Sequence, residues 1–375
     1  MSTDTILIEK REELKHRLAA GEYKTLVDVF LSGINRLIQR LTGRSNPIPV
    51  WCTTIILSLI SASMCIVALY LSGELTITPN YFERLGINYR LGIVWAISIN
   101  ILLIVDIALF NYYINRIFVL WQNDMFDATE SVASLEKFND WIEKVCNRRL
   151  HLFVIIIVGL LFSLAMGAAI FSLNHFIGSG STFTLTILSI LISSSLYLFW
   201  MAILFSVMLP EYELKLFPAD PGNSELILRL SRELNFLVYI VAISGAVGAL
   251  TTALTGKLRL ILGIAQVILV WSPLIIMFIL NQIGTSGIIR RTKWKTLNEI
   301  QRSIEKLQAS KSFGNQDSMN AINRQIDYHN RVKSTRNSTL NSTAILSFIN
   351  SLLLPLLAFL LGNLDRLMAL LPQRP

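Results

Sequence analysis

Side chains that could do chemistry are few in this sequence, and they lie in three places. The first is a basic run in which the segment from Arg290 to Arg336 carries 11 Lys and Arg residues against four acidic ones. Arg290, Arg291, Lys293, Lys295, Arg302, Arg324, Arg331, Lys333 and Arg336 are the candidates for holding an anionic ligand, a nucleotide or an oligonucleotide. A surface of one sign concentrates the opposite charge. Positive charge kept on one side of a membrane is the competing explanation for the same run. The second place is Asp106, an acidic residue deep in an apolar stretch that also holds Asn100, Asn111 and Asn115. A carboxylate there has to be paired, hydrated or protonated. Asp106 therefore reads either as part of an ion or proton path or as a hydrogen-bonded joint between helices, with Arg116 as a candidate partner. On a helix the three asparagines form one polar stripe, and Asp106 lies off it. The third place is the last apolar segment. Ser347, Asn350, Ser351, Leu354, Ala358 and Leu361 share one face, polar at the near end and apolar farther out. Several copies around an axis would admit water at the polar end and gate by dewetting at the leucines. The alternative is a packed helix bent at Pro355, whose ring removes one backbone hydrogen bond.

None of these sets looks catalytic. The histidines, His16, His151, His175 and His329, are scattered without metal-ligand spacing. There is no Gly-x-Ser-x-Gly, no phosphate-binding loop and no His-Glu-x-x-His. The cysteines, Cys52, Cys65 and Cys146, have no regular spacing, which disfavours a disulfide framework or a zinc site. The chain reads as a non-enzyme without a cofactor.

The elements that must position these residues are set by composition. At 53% hydrophobic and 15% charged, the chain is too apolar for a soluble protein. Its apolar residues cluster into windows of about 20, the length a helix needs to cross a bilayer. Seven spans are expected: Val50 to Ser72, Gly92 to Arg116, Leu150 to Phe171, Thr182 to Leu209, Asn235 to Leu254, Leu260 to Gln282, and Ala344 to Leu361. The last either crosses or re-enters. With this alternation 27 of the 33 basic residues fall on the N-terminal side. That bias places the N-terminus in the cytoplasm. The N-terminal run has no apolar core ahead of a cleavage site, so the first span serves as the membrane address.

The expected fold is all-α, a polytopic membrane bundle with a cytoplasmic helical domain. Residues 1–48 form amphipathic N-terminal helices, 49–283 a six-span bundle with helical extensions, 284–343 a basic hairpin, and 344–375 the last span and a short tail. Tyr23, Leu26, Val27, Phe30, Ile34, Leu37, Ile38 and Leu41 recur at helical spacing. With Arg36, Arg40 and Arg44 nearby, that helix lies on the membrane or packs on the protein itself. Leu297, Ile300, Ile304 and Leu307 step by three and four, as do Met319, Ile322, Ile326 and His329 after a break at 312–315. They predict two coiled-coil seams folded back through a turn. Such a pair needs further partners to bury both seams.

The segment from Gly284 to Thr343 leading into Ala344 to Leu361 resembles, as topology, the insect odorant and gustatory receptors. Those are seven-span proteins whose cytoplasmic helices build a central anchor and whose last span lines the pore of a tetrameric cation channel. In kind the chain is also similar to the bacterial membrane channels that act as anti-phage effectors. The resemblance implies a homo-tetrameric, ligand-controlled ion channel of a bacterial inner membrane, with an anionic cytoplasmic ligand. A secondary transporter and a non-transporting membrane anchor or assembly protein are the alternatives.

Overall fold

In lipid a chain has to pair its backbone polar groups within helices and turn apolar side chains outward. The computed structural model shows both features. It describes residues 3–43, 46, 48–73, 89–170, 180–254, 260–309, 316–339 and 342–362. Among these residues the regular structure is helical, apart from one isolated bridge between Thr129 and Leu214. In chain order the helices are α1 (Thr3–Ala19), α2 (Leu26–Thr42), α3 (Val50–Leu71), α4 (Tyr89–Leu120), α5 (Val132–Cys146), α6 (Arg148–Ile170), α7 (Gly180–Met208), α8 (Glu225–Leu254), α9 (Leu260–Ala309), α10 (Gln316–Ser334) and α11 (Ser342–Gly362).

Four helical stretches are long and apolar enough to cross a membrane: Val50–Leu71, Ile97–Ala128, Thr182–Glu211 and Trp271–Ala309. The bent pair Val132–Cys146 and Arg148–Leu164 adds a fifth if it is one span. Length and composition thus mark the chain as a membrane protein. The expected segments 235–254 and 344–361 fall within α8 and α11, where the apolar run in α11 is the shorter Phe348–Leu357.

Packing follows the same logic. Helix α3 buries Thr53, Thr54, Ser58 and Ser61 while exposing Ile55, Leu59, Ile60, Met64 and Val67. Helix α6 exposes Phe153, Ile156, Leu160, Leu161 and Leu164. A water-soluble helix does the reverse, since large exposed apolar faces mark contact with lipid or a partner.

A second kind of core is aromatic. Helix α4 runs on through a π turn, Trp121–Met125, and a helical turn, Phe126–Ala128. Trp121 stacks on Phe138 of α5 with ring centroids 3.7 Å apart, and it meets Tyr212 edge-on at 5.0 Å. The Trp141 indole N–H donates to the Met201 carbonyl at 2.9 Å. These rings fasten α5 between the extension of α4 and the end of α7.

Local signals set several boundaries. Thr25 and Asp28 form a capping box at the start of α2, and Gly43 closes it in the left-handed conformation at φ 65°. Helix α8 begins at Glu225, and the Ser224 hydroxyl just before it accepts from the Phe217 N–H at 2.8 Å. The break expected at 312–315 lies outside the described residues. The hairpin it joins is present, and its first arm is the end of the continuous 50-residue α9.

Helix α9 passes very close to the end of α7. A Cβ at Gly287 would lie 2.6 Å from the Pro210 Cβ, and one at Gly284 would lie 2.9 Å from the Ser206 carbonyl oxygen. A Cβ at Gly33 of α2 meets nothing within 4 Å. Gly287→Ala is therefore expected to destabilise the detergent-solubilised protein by about 1–3 kcal/mol through overpacking. Gly33→Ala is expected to stabilise it by about 0.5–1 kcal/mol through helix propensity. Thermal unfolding followed by size-exclusion chromatography checks both signs.

Candidate functional site

Each expected intramembrane polar residue is engaged with a different helix. Asn100 is fully buried, accepts from the Ser61 hydroxyl at 2.9 Å, and reaches the Cys65 sulfur at 3.4 Å, which joins α4 to α3. Asp106 accepts a short hydrogen bond from the Ser244 hydroxyl, which joins α4 to α8. The Asn111 amide donates to Asp28 Oδ1 at 2.6 Å and accepts from the Thr25 hydroxyl at 2.6 Å. Asn115 donates to the same Asp28 oxygen at 3.1 Å. The asparagine stripe is thus divided, its upper end serving α3 and its lower end α2.

Asp28 is the residue that sequence reasoning missed. Its signal was the Thr25-x-x-Asp28 spacing of a capping box ahead of an apolar run, although nothing local points to Asn111. Arg116 does not serve Asp106. Its guanidinium pairs with Glu233 of α8 at 2.5 Å and lies 5.0 Å from the Phe236 ring centroid.

Arg116 and Glu233 stand in a cleft of about 720 Å³ between α4 and α8. Its charges largely cancel. Arg229 holds Asp124 through two contacts at 3.0 and 2.8 Å and Glu225 at 2.6 Å. Arg232 also lines this cleft and is exposed. The cleft was not legible in sequence, because its acidic and basic members lie about a hundred residues apart.

The basic segment divides into an internal set and an outer set. Lys293 is buried, and its ammonium donates to the carbonyls of Lys333 at 2.8 Å and Thr335 at 2.6 Å and to the Asn337 side-chain oxygen at 2.8 Å. Burial lowers this amine below the ordinary lysine range, and Asp220 opposes the shift. Lys295 pairs with Glu130 at 2.6 Å, and Arg291 donates to the Glu211 carbonyl at 2.8 Å. Arg290, Arg302, Arg324, Arg331, Lys333 and Arg336 are exposed. The nine candidates therefore do not converge on one site.

The α9 seam packs as the spacing predicts, whereas of the residues expected in the α10 seam only Ile322 is buried in the contact. Leu297, Ile300 and Ile304 of α9 pack with Ile322 and Val332 of α10, and Leu307 and Tyr328 flank them. Met319 and Ile326 of α10 remain 42% and 41% exposed. From α10 the chain returns along α9, where the Thr339 hydroxyl lies 3.1 Å from that of Thr285 and 3.3 Å from the Gln282 side-chain oxygen. Helix α11 then packs against α8 and, through Phe348 stacked on Phe278 at 3.9 Å, against α9.

Two residues of the expected polar end of α11 face differently. Ser351 is buried within the chain, and Asn350 is exposed. Pro355 is buried. The side chains of Ser347, Leu354, Ala358 and Leu361 lie outside the described residues.

Replacing Lys293 by Met leaves two backbone carbonyls without their charged donor. A hydrogen bond to a charged group contributes about 1.5–3 kcal/mol, so amide exchange at 333–337 is expected to speed up by ten-fold or more, whereas Arg302→Met should leave it unchanged. Hydrogen–deuterium exchange read by mass spectrometry distinguishes the two variants.

Compared with known proteins, the chain matches no protein family, no curated protein sequence and no solved structure.

Proposed function

We propose that the chain is the subunit of a homo-oligomeric, ligand-controlled ion channel. In this reading it crosses the membrane seven times from a cytoplasmic N-terminus, and α11 faces the conduction path. The observation that carries the reading is a mechanical one. A single helix, α9, runs from an apolar stretch into the α9–α10 hairpin, and the hairpin's return leads straight into α11. Lys293 and Thr285 fasten that return to α9, so a displacement of the hairpin reaches the start of α11 through fixed contacts.

The half-exposed Met319 and Ile326 supply a seam for a neighbouring subunit, and four copies about one axis would bring the α11 helices together. The exposed Arg290, Arg302, Arg324, Arg331, Lys333 and Arg336 offer phosphate-binding groups on the same domain. An inner-membrane effector of anti-phage defence opened by a nucleotide-type signal fits this arrangement. The test is reconstitution in planar bilayers together with mass measurement in detergent. The expected result is an oligomer that carries current, and Ile326→Glu should give monomers without current. A wild-type chain that stays monomeric and silent with every nucleotide tried overturns the reading.

The Asp106–Ser244 contact favours proton-coupled secondary transport as a second reading, because it places a carboxylate between two membrane helices. Under that reading Asp106→Asn abolishes proton-driven uptake into vesicles. Under the channel reading it alters stability and leaves conductance in place.

A further inference from the structure

Beneath α2 the chain surrounds a cavity of about 290 Å³. Val27 and Leu31 of α2 form one wall, Ile104 and Ala108 of α4 another, and Leu191 of α7 closes the far side. The polar residues of the lining are Thr54 and Ser194, and both hydroxyls are already committed. Thr54 Oγ donates to the Val50 carbonyl at 2.9 Å, and Ser194 Oγ is bonded to His151 Nε2 at 3.0 Å. A buried water needs two to four polar partners, and a dry apolar void of about 150 Å³ is already large enough to bind benzene. Left empty, the walls would forfeit the dispersion contacts that close packing supplies. The chemistry that fits this space is hydrocarbon.

Its mouth is rimmed by exposed apolar side chains. Phe30, Leu152 and Ile190 line the cavity and are themselves 55%, 46% and 44% exposed. Leu152 and Ile190 belong to helices whose outer faces are apolar, so the opening is continuous with the surface that lipid covers. The roof is fixed in place. The Thr25–Asp28–Asn111 contacts hold the start of α2 to α4, and the Asn35 side chain both donates to the Ile48 carbonyl at 3.1 Å and accepts from the Ile48 N–H at 3.2 Å. That second clamp ties α2 to the residues just before α3.

We propose that this cavity takes one acyl chain of a phospholipid from the leaflet on the α2 side. The chain enters past Phe30 and fills the space between α2 and the membrane helices. This assignment rests on the membrane character of the helices and does not depend on whether the protein conducts ions.

The probe is a phosphatidylcholine carrying a diazirine in its acyl chain, mixed into nanodiscs with the full-length protein, irradiated and mapped by peptide mass spectrometry. Adducts are expected on the buried walls, at Val27, Leu31 and Ile104, as well as on the exposed Leu160 and Leu161. In Ala108→Phe, which fills the cavity, the wall adducts should fall to background while those at Leu160 and Leu161 persist. Leu57→Phe, a milder filling change, should lower them in part, and a wild-type elution profile shows that each variant is folded. Wall positions unlabelled in the wild type overturn the proposal. Wall labelling by a free diazirine alkane but not by the phospholipid probe also overturns it, because the site would then belong to a small apolar molecule.

Discussion

The solvent around the middle of this protein is hydrocarbon, and that constraint explains most of its interior. Helix α3 turns isoleucine, leucine and valine outward and keeps threonine and serine inside. Burying apolar surface gains little between helices already surrounded by hydrocarbon, so association depends on close approach and on polar joints. Both are present. Gly180 sits where a Cβ would fall 2.4 Å from the Ala68 carbonyl oxygen, and α4 alone carries joints to α2, α3 and α8. Each such hydrogen bond averages only about 0.6 kcal/mol in a membrane. Three of them along α4, directed to three neighbours, fix its rotation as much as its energy.

The packing changes character within the length of single helices. Helix α4 passes from the Asn100 and Asp106 joints into the aromatic cluster around Trp121. There aromatic rings pack on one another, and Trp121, Phe126, Phe138 and Tyr212 are wholly enclosed. Helix α9 makes the same passage, from Phe278 among the apolar residues to the Leu297, Ile300 and Ile304 seam. Polar joints and apolar clusters are therefore tied together by continuous helices.

What could be read from the chain follows this division. Long uncharged windows and three-and-four spacing are local signals, and they located the long apolar helices and the α9 seam of the hairpin, but only Ile322 of the seam expected in α10. The partners of charged residues were not legible. Lys293 stood among nine apparent ligand-binding cations, yet it spends its donors on carbonyls 40 and 42 residues away. Arg116 finds Glu233 at a separation of 117 residues. A cation that satisfies a buried backbone and one that waits for a ligand look alike in sequence, because the difference lies in what the fold brings next to them.

That difference bears on how the hairpin is held. Within one chain the α9–α10 contact is narrow, with Ile322 and Val332 the buried apolar residues that α10 contributes. So small an apolar contact offsets little of the conformational entropy lost on ordering a helix of 19 residues and its return. The Lys293 ammonium adds charged contacts at the C-terminal end of α10, where backbone carbonyls and the helix dipole both favour a cation. The same contact sets where the chain leaves α10 and so where α11 begins. The Lys293 contacts thus hold both the end of α10 and the stretch that leads to α11.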